Sequence, residues 1–254
     1  MPDADEDAPA PAKEPARKKT LPKRFYSRVE TKDEAGGGVS LRLDGKPVRT
    51  PGKKFLVLPT KPLAEAIADE WRGQGERIDP ATMPLTKLAN TVIDGIEGRE
   101  GAVRDDILSH ARSDLVCYRA GGPEKLVAWQ RQHWDPVVAW AKAELGAPMR
   151  LAEGVMHVAQ DEASLEAIKR RIARFDAWSL AALHVITGLT GSALLGLAVG
   201  LKRLSPEEAW TAAHVDEDWQ IGQWGEDEEA RIRRENRKRD FDAGASLLRF
   251  LPRE

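Results

Sequence analysis

At 254 residues, with 41 acidic and 39 basic side chains and a formal net charge of −2, the chain has room for one large or two modest domains. It has no global pull toward nucleic acid or an acidic membrane. Its hydrophobic share of 41% can bury a core, and its single cysteine, Cys117, excludes an intramolecular disulfide framework or a multi-cysteine metal site and fits a reducing compartment.

The start, MPDADEDAPAPAKEPARKKTLPK, carries early acids and no apolar core, unlike a secretory signal or a mitochondrial presequence. Residues 1–22 read as a disordered tail, too rich in Pro, Ala and charge to offset its own ordering entropy. Strand-like runs follow: RFYSRVE (24–30), VSLRL (39–43), KPVRT (46–50) and KFLVLP (54–59). The glycines at 36–38 read as a turn. Asp44-Gly45 between two alternating runs predicts a hairpin, because a type I′ turn needs φ > 0 at both central positions. Thr60 and Pro62 open a first helix, with Leu63, Ile67 and Trp71 at helical spacing.

Beyond GQGERIDPATMP (73–84) nearly everything reads helical, with a short strand-like DLVCYR at 114–119. Residues 123–145 place Val127, Gln130, Trp134, Val137, Val138 and Ala141 on one face, with a kink expected at Pro136. Leu165, Ile168, Ile172 and Phe175 form an amphipathic stripe. The 25 residues from Ala177 to Leu201 contain no Asp, Glu, Lys or Arg, enough in length to cross a bilayer. However, TGLTG at 187–191 puts two glycines mid-stretch at a cost of roughly 1 kcal/mol each. Two buried core helices, each too short to span, are expected. Ser205, Pro206 and Glu208 make a capping box. The final stretch runs from acids at 226–229 to bases at 231–239, which predicts one long exposed helix with i, i+4 pairs. The expected fold class is α+β: a disordered tail at 1–22, a β-rich domain at 23–82 and a helical domain at 83–254.

No enzyme signature emerges. His110, His133, His157, His184 and His214 are scattered, and none belongs to H-E-x-x-H. His214 and Asp218, at i and i+4, could share a metal, but the spacing implies no third ligand. There is no phosphate-binding loop and no G-x-S-x-G. Cys117 reads as a small buried hydrophobe. Asp105, Asp106 and Asp114 lie near Arg104 and Arg112 and read as surface ion pairs. No catalytic residue, metal or cofactor is expected. The alternatives are a metal-dependent or acid/base enzyme using 214–229, or membrane association through 177–201.

The stretch HVDEDWQIGQWGEDEE (214–229) puts seven carboxylates among two tryptophans and an isoleucine. One helix running from Ser205 through 224 would align Trp210, His214, Glu217, Ile221 and Trp224 on one stripe. Ala212, Val215, Trp219 and Gly222 would fall on the next. Glu217 then sits within an apolar face, flanked by Asp216 and Asp218, and must be paired, hydrogen-bonded or protonated. Its partner is either an internal group, such as an arginine from a neighbouring helix, or a basic group on another protein.

Taken together, KRFYSRV (23–29), LDGKPVRTPGKKFLVLPTKPLAEAIADEW (43–71), MPLTKLANTVIDGI (83–96), DLVCYRA (114–120), LAALHVITGLTGSALLGLAV (180–199) and DEDWQIGQWG (216–225) resemble a known family. These are the assembly chaperones that bind the alpha subunit of F-type ATP synthase in mitochondria and alphaproteobacteria. The resemblance implies a non-catalytic protein, monomeric when free, that shields the alpha subunit's interface surface until the catalytic head assembles. It implies no cofactor, no nucleic acid and no stable membrane insertion. Relatives in eukaryotes act in the mitochondrial matrix, and this chain reads as bacterial and cytoplasmic. The implied partner-binding residues are Glu217 first, then Asp216 and Asp218, with Trp219, Gln220, Ile221 and Trp224.

Overall fold

The computed structural model describes residues 21–154 and 156–252. Apart from Leu21 and Pro22, the segment read as a tail lies outside them. An antiparallel sheet comes first, with β1 (Val29–Asp33), β2 (Val39–Leu43) and β3 (Lys46–Pro47) in that order and β4 (Val57–Leu58) also pairing with β2. Asp44 and Gly45 take φ of 48° and 79°, as the hairpin expectation requires. The first strand starts later than the sequence run suggests, at Val29 rather than 24. Residues 24–28 spend their hydrogen bonds elsewhere: the Arg24 amide donates to the Glu76 carbonyl, the Tyr26 hydroxyl to the Trp71 carbonyl, and the Ser27 and Arg28 amides to the Asp44 carboxylate.

Helix α1 (Lys61–Arg72) starts at the Thr60 cap and buries Leu63, Ala64, Ile67 and Ala68 against the sheet. Helix α2 (Pro84–Thr91) lacks a side-chain cap of its own. The Glu70 carboxylate replaces it, accepting from the Leu85 and Thr86 amides at 2.7 Å. Burial raises the Glu70 pKa, and the hydrogen bonds from Thr86 and Leu85 oppose that rise.

Helix α3 (Glu100–Arg112) leads into the 114–119 segment. Only Tyr118–Arg119 is a strand there (β5), pairing in parallel with Ala152–Glu153 (β6), while Leu115–Cys117 forms a 3-10 turn. Asp114 caps that turn and is fully buried, which overturns the surface ion-pair expectation. Its carboxylate accepts from the Ser192 hydroxyl at 2.5 Å and from the Leu194 amide at 3.0 Å. Asp106 also departs from expectation, because its partner is His184 at 2.8 Å rather than an arginine. Arg104 instead donates to the Phe175 carbonyl.

The remaining helices are α4 (Glu124–Trp140), α5 (Glu162–Ile172), α6 (Ala177–Thr190), α7 (Ala193–Gly200), α8 (Pro206–Ala213), α9 (Val215–Trp224) and α10 (Glu228–Phe250). Pro136 lies inside α4 without ending it. In α4, Gln130, Trp134 and Val137 are buried, and in and after α5 so are Leu165, Ile168, Ile172 and Phe175, as their spacing predicts. The apolar run at 177–201 divides at Gly191, where φ is +67°, and Gly188 stays within α6. Both resulting helices are buried. Among the described residues no helix is long and apolar enough to cross a membrane. The capping box at Ser205 forms in both directions.

Helix α10 is only half as expected. Its first turns are exposed and carry intrahelical ion pairs, among them Arg231 with Glu228 at 2.7 Å and Arg233 with Glu229 at 3.5 Å. Its last turns bury Phe241, Ala243, Gly244, Ala245 and Leu247, packing chiefly on α6 and α2, and Leu247 joins the apolar cluster beneath the sheet. The crossing is close at Gly244, where a Cβ would lie 3.3 Å from Ile186 and 3.4 Å from the Ala182 carbonyl. Gly244→Val should therefore lower stability by about 1–3 kcal/mol, the usual cost of overpacking. Urea unfolding of the two proteins measures it, and equal midpoints would mean that α6 and α10 separate freely.

Candidate functional site

The helix entering the acidic stretch breaks at His214, contrary to the continuous helix expected from 205 to 224. His214 has φ −115° and ψ 16°. Its imidazole Nδ1 donates to the Trp210 carbonyl at 2.8 Å, taking the acceptor that a continuing helix would offer to the His214 amide. That amide turns to the Thr211 carbonyl instead. The imidazole stacks on the Trp210 ring at 3.8 Å, and Trp210 meets Phe241 of α10 edge-on at 5.2 Å. After the break α9 starts afresh, with Asp216, Glu217 and Asp218 in its first turn, where the helix dipole favours negative charge.

Two of the three acids have close internal partners, and those partners come from different helices. Asp216 accepts from Gln130 of α4 at 2.7 Å. Gln130 is itself buried, and its carbonyl oxygen accepts from the Ala120 amide. Asp218 pairs with Arg234 of α10 at 2.5 Å, both half-buried. Glu217 differs. Its Oε2 lies 3.7 Å from His214 Nε2 and 3.9 Å from Arg237 Nη1, both beyond hydrogen-bond length. The internal arginine expected for Glu217 is therefore Arg237 of α10, at ion-pair distance but without a hydrogen bond, and Asp218 has a closer one in Arg234.

The other expected residues divide by exposure. Trp219 is half-buried, edge-on to Trp129 of α4 at 6.4 Å. Ile221 is half-buried and Gln220 exposed. Trp224 is 79% exposed at the tip of α9, so the aromatic stripe expected to lie within an apolar face instead ends in solvent. Ile232, at the start of α10, is also exposed. An indole held this far into solvent is of the residue type that dominates protein–protein contacts. The metal pairing of His214 with Asp218 does not form, because Asp218 turns to Arg234 and His214 faces Glu217. Among the described residues no three His, Cys, Asp or Glu side chains gather as a metal site. Cys117 is buried and its thiol is pushed up to about 12, chiefly by burial and then by Asp114.

Sequence reasoning did not identify Gln130, Arg234 or Arg237 as neighbours of the acids. The run of bases in α10 was a signal, but it read as pairing only within its own helix.

Comparison with known proteins agrees with the resemblance. A family model described as ATP12 chaperone protein matches residues 23–142. The chain is 23% identical over 242 residues to the protein atp12, mitochondrial, of Schizosaccharomyces pombe, covering 90% of this chain and 83% of that one. Among solved structures it is similar to the Atu1473 protein from Agrobacterium tumefaciens, with a TM-score of 0.88 and 49% identity, covering 91% of this chain and 87% of that one. It is also similar to Atp12 from Paracoccus denitrificans, with a TM-score of 0.84 and 39% identity, covering 90% and 98%.

Proposed function

The chain belongs to the ATP12 family of chaperones, and from that premise we propose that it binds the unassembled alpha subunit of F-type ATP synthase in the bacterial cytoplasm, shields the surface that subunit will bury against its neighbours, and so promotes assembly of the catalytic head. Exposed interface surface of that kind invites aggregation. A protein that covers it need do no chemistry. Release follows when the beta subunit competes for the same surface, since a ligand shifts an equilibrium only by its differential affinity.

The observation that carries this reading is the α9 tip and first turn: Glu217 without a hydrogen bond among the described residues, and Trp224 extended into solvent. Asp216, Asp218 and Trp219 hold that helix in place, and Gln220 and Ile221 continue its face.

Co-expression of the tagged chain with the isolated alpha subunit, and separately with the beta subunit, tests the proposal. Selective capture of alpha in soluble form is expected. Glu217→Lys should abolish capture, a loss of at least about a hundredfold in affinity, because a lost attraction becomes repulsion at a desolvated contact. Its melting temperature should stay near that of the parent. Capture of both subunits alike, or undiminished capture by Glu217→Lys, would count against the proposal.

A further inference from the structure

We propose that His214 Nε2 and the Glu217 carboxylate together form the seat for a cationic side chain, lysine or arginine, of the partner protein, and that Arg237 occupies its threshold until the partner arrives. The identity of the partner rests on the chaperone reading above. The seat itself rests on the geometry of three side chains.

His214 is 2% exposed. Its Nδ1 faces a carbonyl oxygen at 2.8 Å, and a carbonyl can only accept, so Nδ1 carries the proton. Burial holds the imidazole neutral, depressing its pKa despite the bond to the Trp210 carbonyl and the opposing charge of Glu217. Arg237 and Arg234 push in the same direction as burial. A neutral imidazole protonated at Nδ1 presents a bare lone pair at Nε2. That atom has no hydrogen-bond partner among the described residues. Across from it lies Glu217 Oε2 at 3.7 Å, which is also an acceptor.

Two acceptors therefore converge where one donor is needed, and a buried acceptor left unpaired costs about 1–3 kcal/mol. An ammonium or guanidinium carries several donors and the charge that Glu217 lacks at close range. Arg237 stands nearest but does not complete the site. Its Nη1 stays 3.9 Å from Oε2, while its Nη2 is held by the Leu189 carbonyl at 2.9 Å. It supplies charge without a hydrogen bond. Both Glu217 and Arg237 retain a third or more of their exposure, so the mouth of the seat meets solvent, while Nε2 itself is buried beneath it. Asp216 and Asp218 are already engaged at 2.7 and 2.5 Å, which singles out Glu217.

The test uses the full chain with ¹⁵N-labelled histidine, titrated with methylguanidinium ion and separately with purified alpha subunit. The His214 Nε2 resonance should shift saturably with both. His214→Asn keeps a donor for the Trp210 carbonyl but has nothing at the Nε2 position. It should bind the alpha subunit about tenfold more weakly or worse, the loss of one charge-assisted hydrogen bond, with its melting temperature within about 2 °C of the parent. His214→Gln places an amide oxygen where Nε2 stood and loses the inner donor, so it should melt lower yet recover most of the affinity. A purely structural role for His214 predicts the opposite ranking. Arg237→Gln should bind as well as the parent or better.

The proposal is overturned if the alpha subunit binds while the Nε2 resonance stays fixed, or if Arg237→Gln weakens binding as much as Glu217→Gln. Should the parent fail to capture the alpha subunit at all, the chaperone assignment falls. The methylguanidinium arm then decides the seat alone: a saturable shift supports it and an unchanged resonance overturns it.

Discussion

Replacing Trp134 with alanine should cost about 3–5 kcal/mol, as truncation of a large core aromatic does. It should also impair partner binding from beneath the surface. Trp134 of α4 is fully buried. Its indole Nε1 donates to the Ala212 carbonyl at 2.7 Å, and the Arg119 guanidinium lies over its ring at 5.3 Å. Ala212 is two residues before His214, where the chain turns from α8 into α9. Losing the indole opens a cavity and removes the clamp that fixes where α9 begins. Against a total stability of about 5–15 kcal/mol for a domain, a loss this large shows as a lowered urea midpoint. Trp134→Phe separates the two effects. It keeps most of the apolar volume but leaves the carbonyl without that donor, at about 1–3 kcal/mol. The folded Phe variant should bind the alpha subunit several-fold more weakly. Equal affinity in the two folded proteins would mean that the Asp216–Gln130, Trp219–Trp129 and Asp218–Arg234 contacts hold α9 in position without that clamp.

Asp114 carries the second large effect, and its sign depends on pH. Burial raises its pKa to about 6 against the lowering influence of hydrogen bonds from Ser192, Leu194, Val116 and Ala193. An unfolded aspartate titrates near 3.9. A raised folded pKa means that the native state holds the proton more tightly than the unfolded chain. The resulting stability is fully present below pH ~4 and is lost as pH rises through about 6. Over that window the shift corresponds to about 3 kcal/mol. Asp114→Asn cannot titrate. The stability of the parent relative to Asp114→Asn should therefore improve by up to that amount between pH 7 and pH 4, and the difference cancels the other carboxylates. A flat difference across that range would show that the buried group stays ionised throughout. Asp114→Ala should be worse at every pH, by about 3–5 kcal/mol, because the Ser192 hydroxyl and the Val116 and Leu194 amides lose a buried acceptor together.

Features decided by neighbours in sequence were legible. Asp44-Gly45 makes its turn, the Ser205 box closes, and the run at 177–201 divides at a glycine, because each depends on residues within a few positions. The stripe from Leu165 to Phe175 follows from helical period alone. The misreadings share a different cause. Asp114 looked like a surface acid because nothing nearby in sequence announces Ser192, 78 residues away, as its partner. Asp216 meets Gln130 across 86 residues. The break at His214 depends on a side chain capturing a backbone acceptor that helical periodicity assigns to the backbone. The charge run opening α10 showed its local pairs correctly, yet it obscured that Arg234 reaches to Asp218 and that the later turns are core.

Leu247 and Leu251 share one apolar cluster with Val39, Leu41, Leu56 and Leu58, and the Thr60 hydroxyl donates to the Phe250 carbonyl across 190 positions. During synthesis, the sheet residues emerge long before the helix that completes their core. Until Phe250 clears the ribosome, the early strands retain exposed apolar surface and the Thr60 hydroxyl lacks its native acceptor. Since non-local contacts of this span are slow to close and exposed strands are prone to aggregate, the core beneath the sheet closes only once α10 has been made. A nascent copy is thus itself vulnerable to aggregation until α10 docks.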